Sequence, residues 1–435
     1  MPEEPKPKEK SLFIEFTEST TLHGIRHVFC GDSKLRRLIW FVCTLGSTAV
    51  FVTSSAKLLN SYIRGDIATR ITVKHQNNIM FPAVTICNFN PLRKSYLKQL
   101  NISDPERFAR ILLYEAEPND ADRKKFFLTY VNAEEFFRNG SHKIKEMLLN
   151  CTLQGRKCLP EDFQLVDTNM GFCYTSNFDK RLANSSKIFK PGERYGLSMT
   201  LNTQIKEYTH RLAPAIGFKI LVQEKNEVPL TDVNGFATMT GVSTFVAIRK
   251  NAVKSLPCEN RRTLDKSLYT RAKCFEDCRR RYIFKRCNCT YPTGMGPYQS
   301  CTLEKLFTCV AYEDERFASL VNMCSCPQPC EHVFYGTTLS YGIYEPETVY
   351  STDLIEAYLE KNSYVQVKIF FEDLSVTEVK DMRKYSWSDL LAAAGGMLGL
   401  LLGASVLTVV EFLELLITLL GTRFSKNKVR AINSR

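Results

Sequence analysis

Two carboxylates, Glu411 and Glu414, stand inside an otherwise uncharged apolar stretch, and three consecutive small residues, Gly403-Ala404-Ser405, precede them. An acid at membrane depth is costly to desolvate and by default marks an ion route, and rings of carboxylates attract cations. Three small residues in succession free backbone carbonyls and let several helix copies crowd one axis, an irregularity tolerated in a bilayer only against protein or water. On an unbroken helix Ala404 and Glu411 lie seven residues apart, and Gly403 and Glu414 eleven, so small residues and acids would share one strip. Gly395, Gly399 and Gly403 recur at the four-residue spacing that brings helices close in lipid. One strip per chain cannot enclose water, so conduction requires three or more copies. The competing reading is that the glycines merely pack helices and the two acids snorkel to a cytosolic interface.

The elements that must position this strip follow from the rest of the chain. Its 435 residues carry 58 basic and 46 acidic side chains, a net charge of +12, and 44% are hydrophobic, which excludes a disordered chain. The run from Leu38 to Ala56 holds no charge and no proline. As a helix it reaches about 28 Å, close to the hydrocarbon core of roughly 30 Å. A charged segment, residues 1–37, precedes it, unlike a signal peptide. The second run, Leu390 to Leu420, would be about 46 Å long as one helix, so it must tilt, kink or break. Ser386 and Asp389 form a capping-box pattern at its start, and Trp387 suits the membrane interface.

Lys34, Arg36 and Arg37 precede the first span, and Arg423, Lys426, Lys428 and Arg430 follow the second. The positive-inside rule therefore puts both termini in the cytosol, the basic excess facing anionic lipid rather than nucleic acid. Five glycosylation sequons, at Asn101, Asn139, Asn150, Asn184 and Asn288, all fall between the spans. The expected organisation is a cytosolic segment 1–37, a span 38–56, an extracellular region 57–386, a second span with the pore 387–420, and a cytosolic tail 421–435.

Fourteen of the sixteen cysteines lie from Cys87 to Cys330, ten of them within 258–330. An oxidising address favours disulfides over thiolate zinc, so neither metal nor cofactor is expected, and Cys30 and Cys43 remain free thiols. Helices are expected at 104–118, 121–138 and 353–361, and strands at 71–73, 81–87, 195–202, 216–222, 244–248 and 364–371. Strands arise from both ends of the middle region, which predicts a mixed α/β body built on a sheet joining the two spans. No phosphate-binding glycine loop, metal-spaced His pair or nucleophile motif occurs, so an enzyme is not the reading.

Several motifs in this order resemble the degenerin/epithelial sodium channel superfamily, nearest its acid-sensing, bile-acid-sensitive and peptide-gated branches. They are His23-Gly24 before the first span, FPAVTICN at 81–88, the cysteine spacing, FFEDL at 370–374, and GGMLGLLLGASVLTVVEFLE at 395–414. The resemblance implies an α+β membrane protein, a homo- or heterotrimer of related subunits, with palm, finger (about 91–165), knuckle, β-ball and thumb (about 258–335). It implies a Na+-preferring current, often amiloride-blocked. Gly403, Ala404 and Ser405 would be the selectivity filter, with Glu411, Glu414, His23 and Gly24 in the lower pore and Ala392 at the degenerin gate position. It also implies the pairs Cys87–Cys173, Cys151–Cys158, Cys258–Cys330, Cys274–Cys326, Cys278–Cys324, Cys287–Cys309 and Cys289–Cys301.

Departures from that pattern bear on gating. Where acid-sensing relatives carry finger acids, this chain has His210 and Arg211. The thumb keeps Glu313, Asp314 and Glu315, but the following RFASLVNM has no acid. A carboxylate beside Arg is held ionised and cannot report pH, so an extracellular ligand is favoured over protons, with amidated neuropeptides of the kind that gate cnidarian relatives first. At the outer mouth Ala392-Ala393 replace the relatives' Gly-Asp, which leaves cation attraction to Glu411 and Glu414 and admits Ca2+ beside Na+. Proton or bile-acid gating is the alternative. A non-conducting receptor or adhesion ectodomain would leave Gly403-Ala404-Ser405 and both acids unexplained, and an ATP-gated trimeric channel has a different cysteine pattern.

Overall fold

A computed structural model describes residues 12–30, 33–102, 104–112, 132–178, 181–209, 212–213, 215–231, 233–291, 297–320, 323–345 and 363–433. The chain divides into two units, Met1–Ala68 with Met382–Arg435, and Thr69–Asp381.

The Thr69–Asp381 unit is built on two sheets. In the larger, strands run in the order Glu331–Ile343, Val242–Lys254, Tyr364–Arg383, Leu197–Asn202, Leu148–Leu153 and Arg156–Lys157, and Ile67–His75 also pairs with Tyr364–Arg383. Val365, Val367, Ile369 and Phe371 are buried and alternate with less buried neighbours, the two-residue period of a strand with one face in a core. Val242–Lys254 pairs parallel to Tyr364–Arg383, with a register shift between Ile248 and Lys250. The second sheet runs Phe236–Met239, Gly217–Gln223, Ala83–Asn88, Gly171–Ser176, Phe163–Thr168. Ala83–Asn88 is buried along its whole length, as a central strand covered on both faces must be. Phe81, Val84, Ile86, Phe218 and Ile220 join Val246, Ile248, Val367 and Phe371 in one core.

A second core gathers helices and disulfides. Leu92, Leu97, Phe108 and Phe136 pack with Ile283, Cys287, Cys289, Cys301 and Val310. Helix Pro105–Leu112 covers part of the expected 104–118, and Ala133–Gly140 starts where Asn132 accepts from the amides of Glu134 and Glu135. The rest of those two helices, and the whole of 353–361, lie outside the described residues. The long helix Arg271–Cys287 begins at Thr270, whose hydroxyl accepts from Lys273 N, and stops at Asn288 in the left-handed region, φ 57°. Bridges Cys274–Cys326, Cys278–Cys324 and Cys287–Cys309 tie it down, and Cys289–Cys301 follows. With Cys87–Cys173, Cys151–Cys158 and Cys258–Cys330 these make the seven pairs that the resemblance implies.

The other unit is helical. Its first long helix runs Lys34–Arg64, beyond the apolar core at both ends, and Gly65 ends it at φ 69°. At 31 residues it spans about 46 Å. Leu58 is its one buried residue, and Leu38, Val42 and Leu45 are each 59% exposed, a surface that only lipid or other protein can cover. Ser386 caps the second helix through the expected capping box with Asp389, and Trp387 lies 6.4 Å from Tyr62, ring to ring.

Candidate functional site

The C-terminal apolar stretch breaks at its three small residues. Trp387–Leu402 ends at Gly403, and a new helix, Val406–Asn433, starts three residues later; the two apolar halves meet at 75°. The expectation of a break is met, but the strip drawn on an unbroken helix is not: the bend removes the common axis on which Ala404 aligned with Glu411 and Gly403 with Glu414. Each side of the break has a local cause. Gly403 adopts φ 65°, a left-handed stop that a side chain disfavours. Ser405 restarts the chain by accepting from Leu407 N at 3.2 Å, while Thr408 Oγ1 accepts from Ser405 N at 3.0 Å, a reciprocal pair of the capping-box kind.

The N-terminal segment folds back onto this break. His23 N–H donates to the Leu402 carbonyl at 3.0 Å, and its ring covers Gly403 so closely that a Cβ there would collide with it. Gly403 is thus required by its dihedral and by the imidazole together. Gly24 has the same double constraint: φ is 89°, and a Cβ would stand 2.7 Å from Thr44 Oγ1 of the first long helix. His27 stacks on Trp40 of that helix at 4.6 Å between centroids. His23-Gly24 therefore threads between both apolar helices.

Sequence reasoning missed the residues that fasten the segment. Thr20 Oγ1 donates to Glu411 Oε2 at 2.9 Å, and Thr21 N–H reaches the same oxygen at 3.1 Å. Thr21 and Thr408 hydroxyls meet at 2.8 Å, and Phe16 packs on Phe412 at 5.1 Å. Glu411 therefore anchors the N-terminal segment through one carboxylate oxygen. Glu414 is exposed, and its backbone carbonyl accepts from Thr418. Ala404 is buried, whereas Ser405 and Ala392 are exposed. A broken helix presents the partial negative charge of its first half's C-terminus at the bend, an environment suited to a cation.

In the disulfide-rich unit, two of the three thumb acids are already engaged. Arg279 donates twice to Asp314 at 2.5 Å, and Tyr282 donates to the buried Glu313 at 2.8 Å; Glu315 is exposed. His210 and Arg211 lie outside the described residues. Among the groups whose pKa burial displaces are Glu227 and His142. Burial pushes Glu227 up to about 7, and its Oε2 lies 3.3 Å from Glu224 N. Burial pulls His142 down to about 4, held between Asn90 Nδ2 at 3.0 Å and Gln204 Oε1 at 2.5 Å. The asparagines of all five sequons are exposed.

A family model described as Amiloride-sensitive sodium channel matches residues 16–415. The chain is 30% identical over 440 residues to acid-sensing ion channel 1 of Gallus gallus, covering 92% of this chain and 82% of that protein. It is 29% identical over 451 residues to acid-sensing ion channel 1B of Danio rerio, covering 95% and 78%. It is 30% identical over 448 residues to the bile acid-sensitive ion channel of Homo sapiens, covering 95% and 87%.

Proposed function

This chain belongs to the amiloride-sensitive sodium channel family, and from that premise we propose that it is one subunit of a trimeric, Na+-preferring cation channel of the plasma membrane, opened by an extracellular ligand. Both termini are cytosolic, residues 57–386 are extracellular, and 387–420 form the pore. Ions pass the bend at Gly403-Ala404-Ser405, the lower pore is shaped by His23, Gly24, Glu411 and Glu414, and Ala392 marks the gate. The observation that carries this reading is the 75° break with the N-terminal segment seated on it. A helix that only anchors an ectodomain has no use for three unwound residues at membrane depth, whereas a water-facing axis does. Current blocked by amiloride is the expected pharmacology.

Peptide is the favoured ligand because two of the three thumb acids, Glu313 and Asp314, are already engaged. Asp314 is held by both arms of the Arg279 guanidinium, and Glu313 by the Tyr282 hydroxyl. Proton gating is favoured by the likeness to acid-sensing channels and by Glu227 at about 7. Recording from cells expressing this chain alone, and with related subunits, discriminates the readings. Amidated peptides are expected to evoke an amiloride-sensitive Na+ current. Current evoked by acid or bile acid with no peptide response contradicts the ligand assignment, and electrical silence to every stimulus contradicts the channel.

A further inference from the structure

A cavity of about 270 Å³ opens at the base of the disulfide-rich helix Arg271–Cys287, and nothing in the ion-conduction reading uses it. Three arginines line it, Arg261, Arg262 and Arg281. Arg261 is engaged at all three nitrogens, Nε and Nη2 on Glu259 at 3.1 and 3.3 Å and Nη1 on the Ser325 carbonyl at 2.6 Å, which leaves Arg262 and Arg281. Arg281 spends only Nε, on the Asp277 carbonyl of its own helix at 3.2 Å. Among the described residues no carboxylate lies within ion-pair distance of Arg262 or Arg281.

The one acid in the wall does not offset them. Asp277 is buried, 2.8 Å from the equally buried Lys273 Nζ, and its other oxygen accepts from Leu264 N–H at 2.9 Å. Lys273 also holds Asp265 at 3.0 Å. This internal pairing consumes the negative charge and fixes the loop that carries Arg261 and Arg262, so the cavity keeps a cationic surplus on a rigid frame. The opposite wall is covalently fixed, since Cys274–Cys326 and Cys278–Cys324 fasten the 323–326 segment to the helix. Met323, the Tyr269 ring and these two bridges supply soft apolar surface.

We propose that this cavity binds a small organic anion, a carboxylate, sulfonate or sulfate on a compact apolar body. Guanidinium forks recognise planar or tetrahedral oxyanions through paired N–H donors, and two of the three forks here are available. The volume is just under the ~300 Å³ at which small-molecule pockets begin, so the ligand is of one or two rings. The site goes beyond the gating reading, and it is unsuited to a cationic peptide terminus.

The test uses binding rather than current, so its outcome is independent of whether the chain conducts. Naphthalene-2-sulfonate and inorganic sulfate are titrated calorimetrically into the purified, detergent-solubilised full chain. The expected result is saturable binding of one naphthalene-2-sulfonate per chain, at least tenfold tighter than sulfate. It weakens at least tenfold in Arg262→Ala and in Arg281→Ala and is unchanged in Arg156→Ala, an exposed cation elsewhere on the unit. Both variants remove exposed guanidiniums without internal carboxylate partners, and retention of the wild-type elution volume verifies folding. No saturable binding, equal affinity for sulfate, or equal loss in Arg156→Ala overturns the proposal.

Discussion

The two units of this chain hold themselves together by opposite means. Thr69–Asp381 carries all seven disulfides, two buried cores and buried ion pairs such as Lys273–Asp277. The helical unit contains two free cysteines, one buried residue in its 31-residue helix, and a break fastened by single hydrogen bonds from Thr20, Thr21 and His23. The first unit buries its own two cores. The second leaves most of its large apolar side chains exposed, and its bend is held by a few hydrogen bonds from the N-terminal segment. On the proposed channel reading, a stiff disulfide-rich unit and weak fastenings at the bend are what a gate requires, since movement is then confined to the bend.

That contrast can be broken first at its strong side. Replacing Cys274 and Cys278 by Ser removes two bridges of about 2–4 kcal/mol each, and the disulfide-rich unit should lose protease resistance and surface delivery together. A variant that reaches the surface with normal protease resistance would mean the covalent frame is dispensable.

Next in size is Gly403→Val. A β-branched residue is disfavoured at φ 65° and collides with the His23 ring, so current should fall at least tenfold while surface labelling stays at the wild-type level. Loss of surface protein instead would place the residue on the folding side of the comparison.

A smaller effect is expected at the anchor. Glu411→Ala frees Thr20 and Thr21 and should reduce peak current several-fold, whereas Glu411→Gln keeps one acceptor oxygen and should be milder. Because Glu411 is occupied, divalent permeation should follow Glu414→Gln, measured as a reversal-potential shift on adding Ca2+. An equal shift in Glu411→Gln would return both acids to the ion path.

The smallest effects concern pH and lie wholly in the disulfide-rich unit. His142 is depressed from 6.5 to about 4, so the stability it contributes is complete above pH 6.5 and is lost as pH falls through 4. Glu227 is raised from 4.5 to about 7, so its contribution is complete below pH 4.5 and is lost as pH rises through 7. In thermal unfolding from pH 4 to 8, Glu227→Gln should raise the midpoint at pH 8 more than at pH 5. His142→Gln should flatten the acid limb, and identical pH profiles for the two variants would remove both assignments.

Much of the bend was legible in the sequence, because its causes are local. Gly403 is a helix stop, Ser405 with Thr408 is a restart, and Ser386 with Asp389 is a cap, each readable within four residues. The strip of small residues and acids failed for the same reason, since a periodicity argument presumes the continuous helix that those signals interrupt. The anchor was not legible: Thr20 and Glu411 are 391 residues apart, and nothing in either neighbourhood points to the other. Strands were read where β-branched residues alternate, as at Tyr364–Arg383, and missed at Glu331–Ile343, where Gly336 and Gly342 sit among polar residues. The disulfide pairs came through resemblance alone, because fourteen cysteines leave the choice open and only the folded sheets decide it.

The claim on which the rest depends is that several copies of this chain surround water at Gly403-Ala404-Ser405. It is tested most directly by cadmium applied to Ser405→Cys channels held open by Ala392→Phe. A ring of thiolates at the narrowest point should bind the ion and block the current, leaving channels with Ser405 intact insensitive. Undiminished current in Ser405→Cys under cadmium would contradict the account.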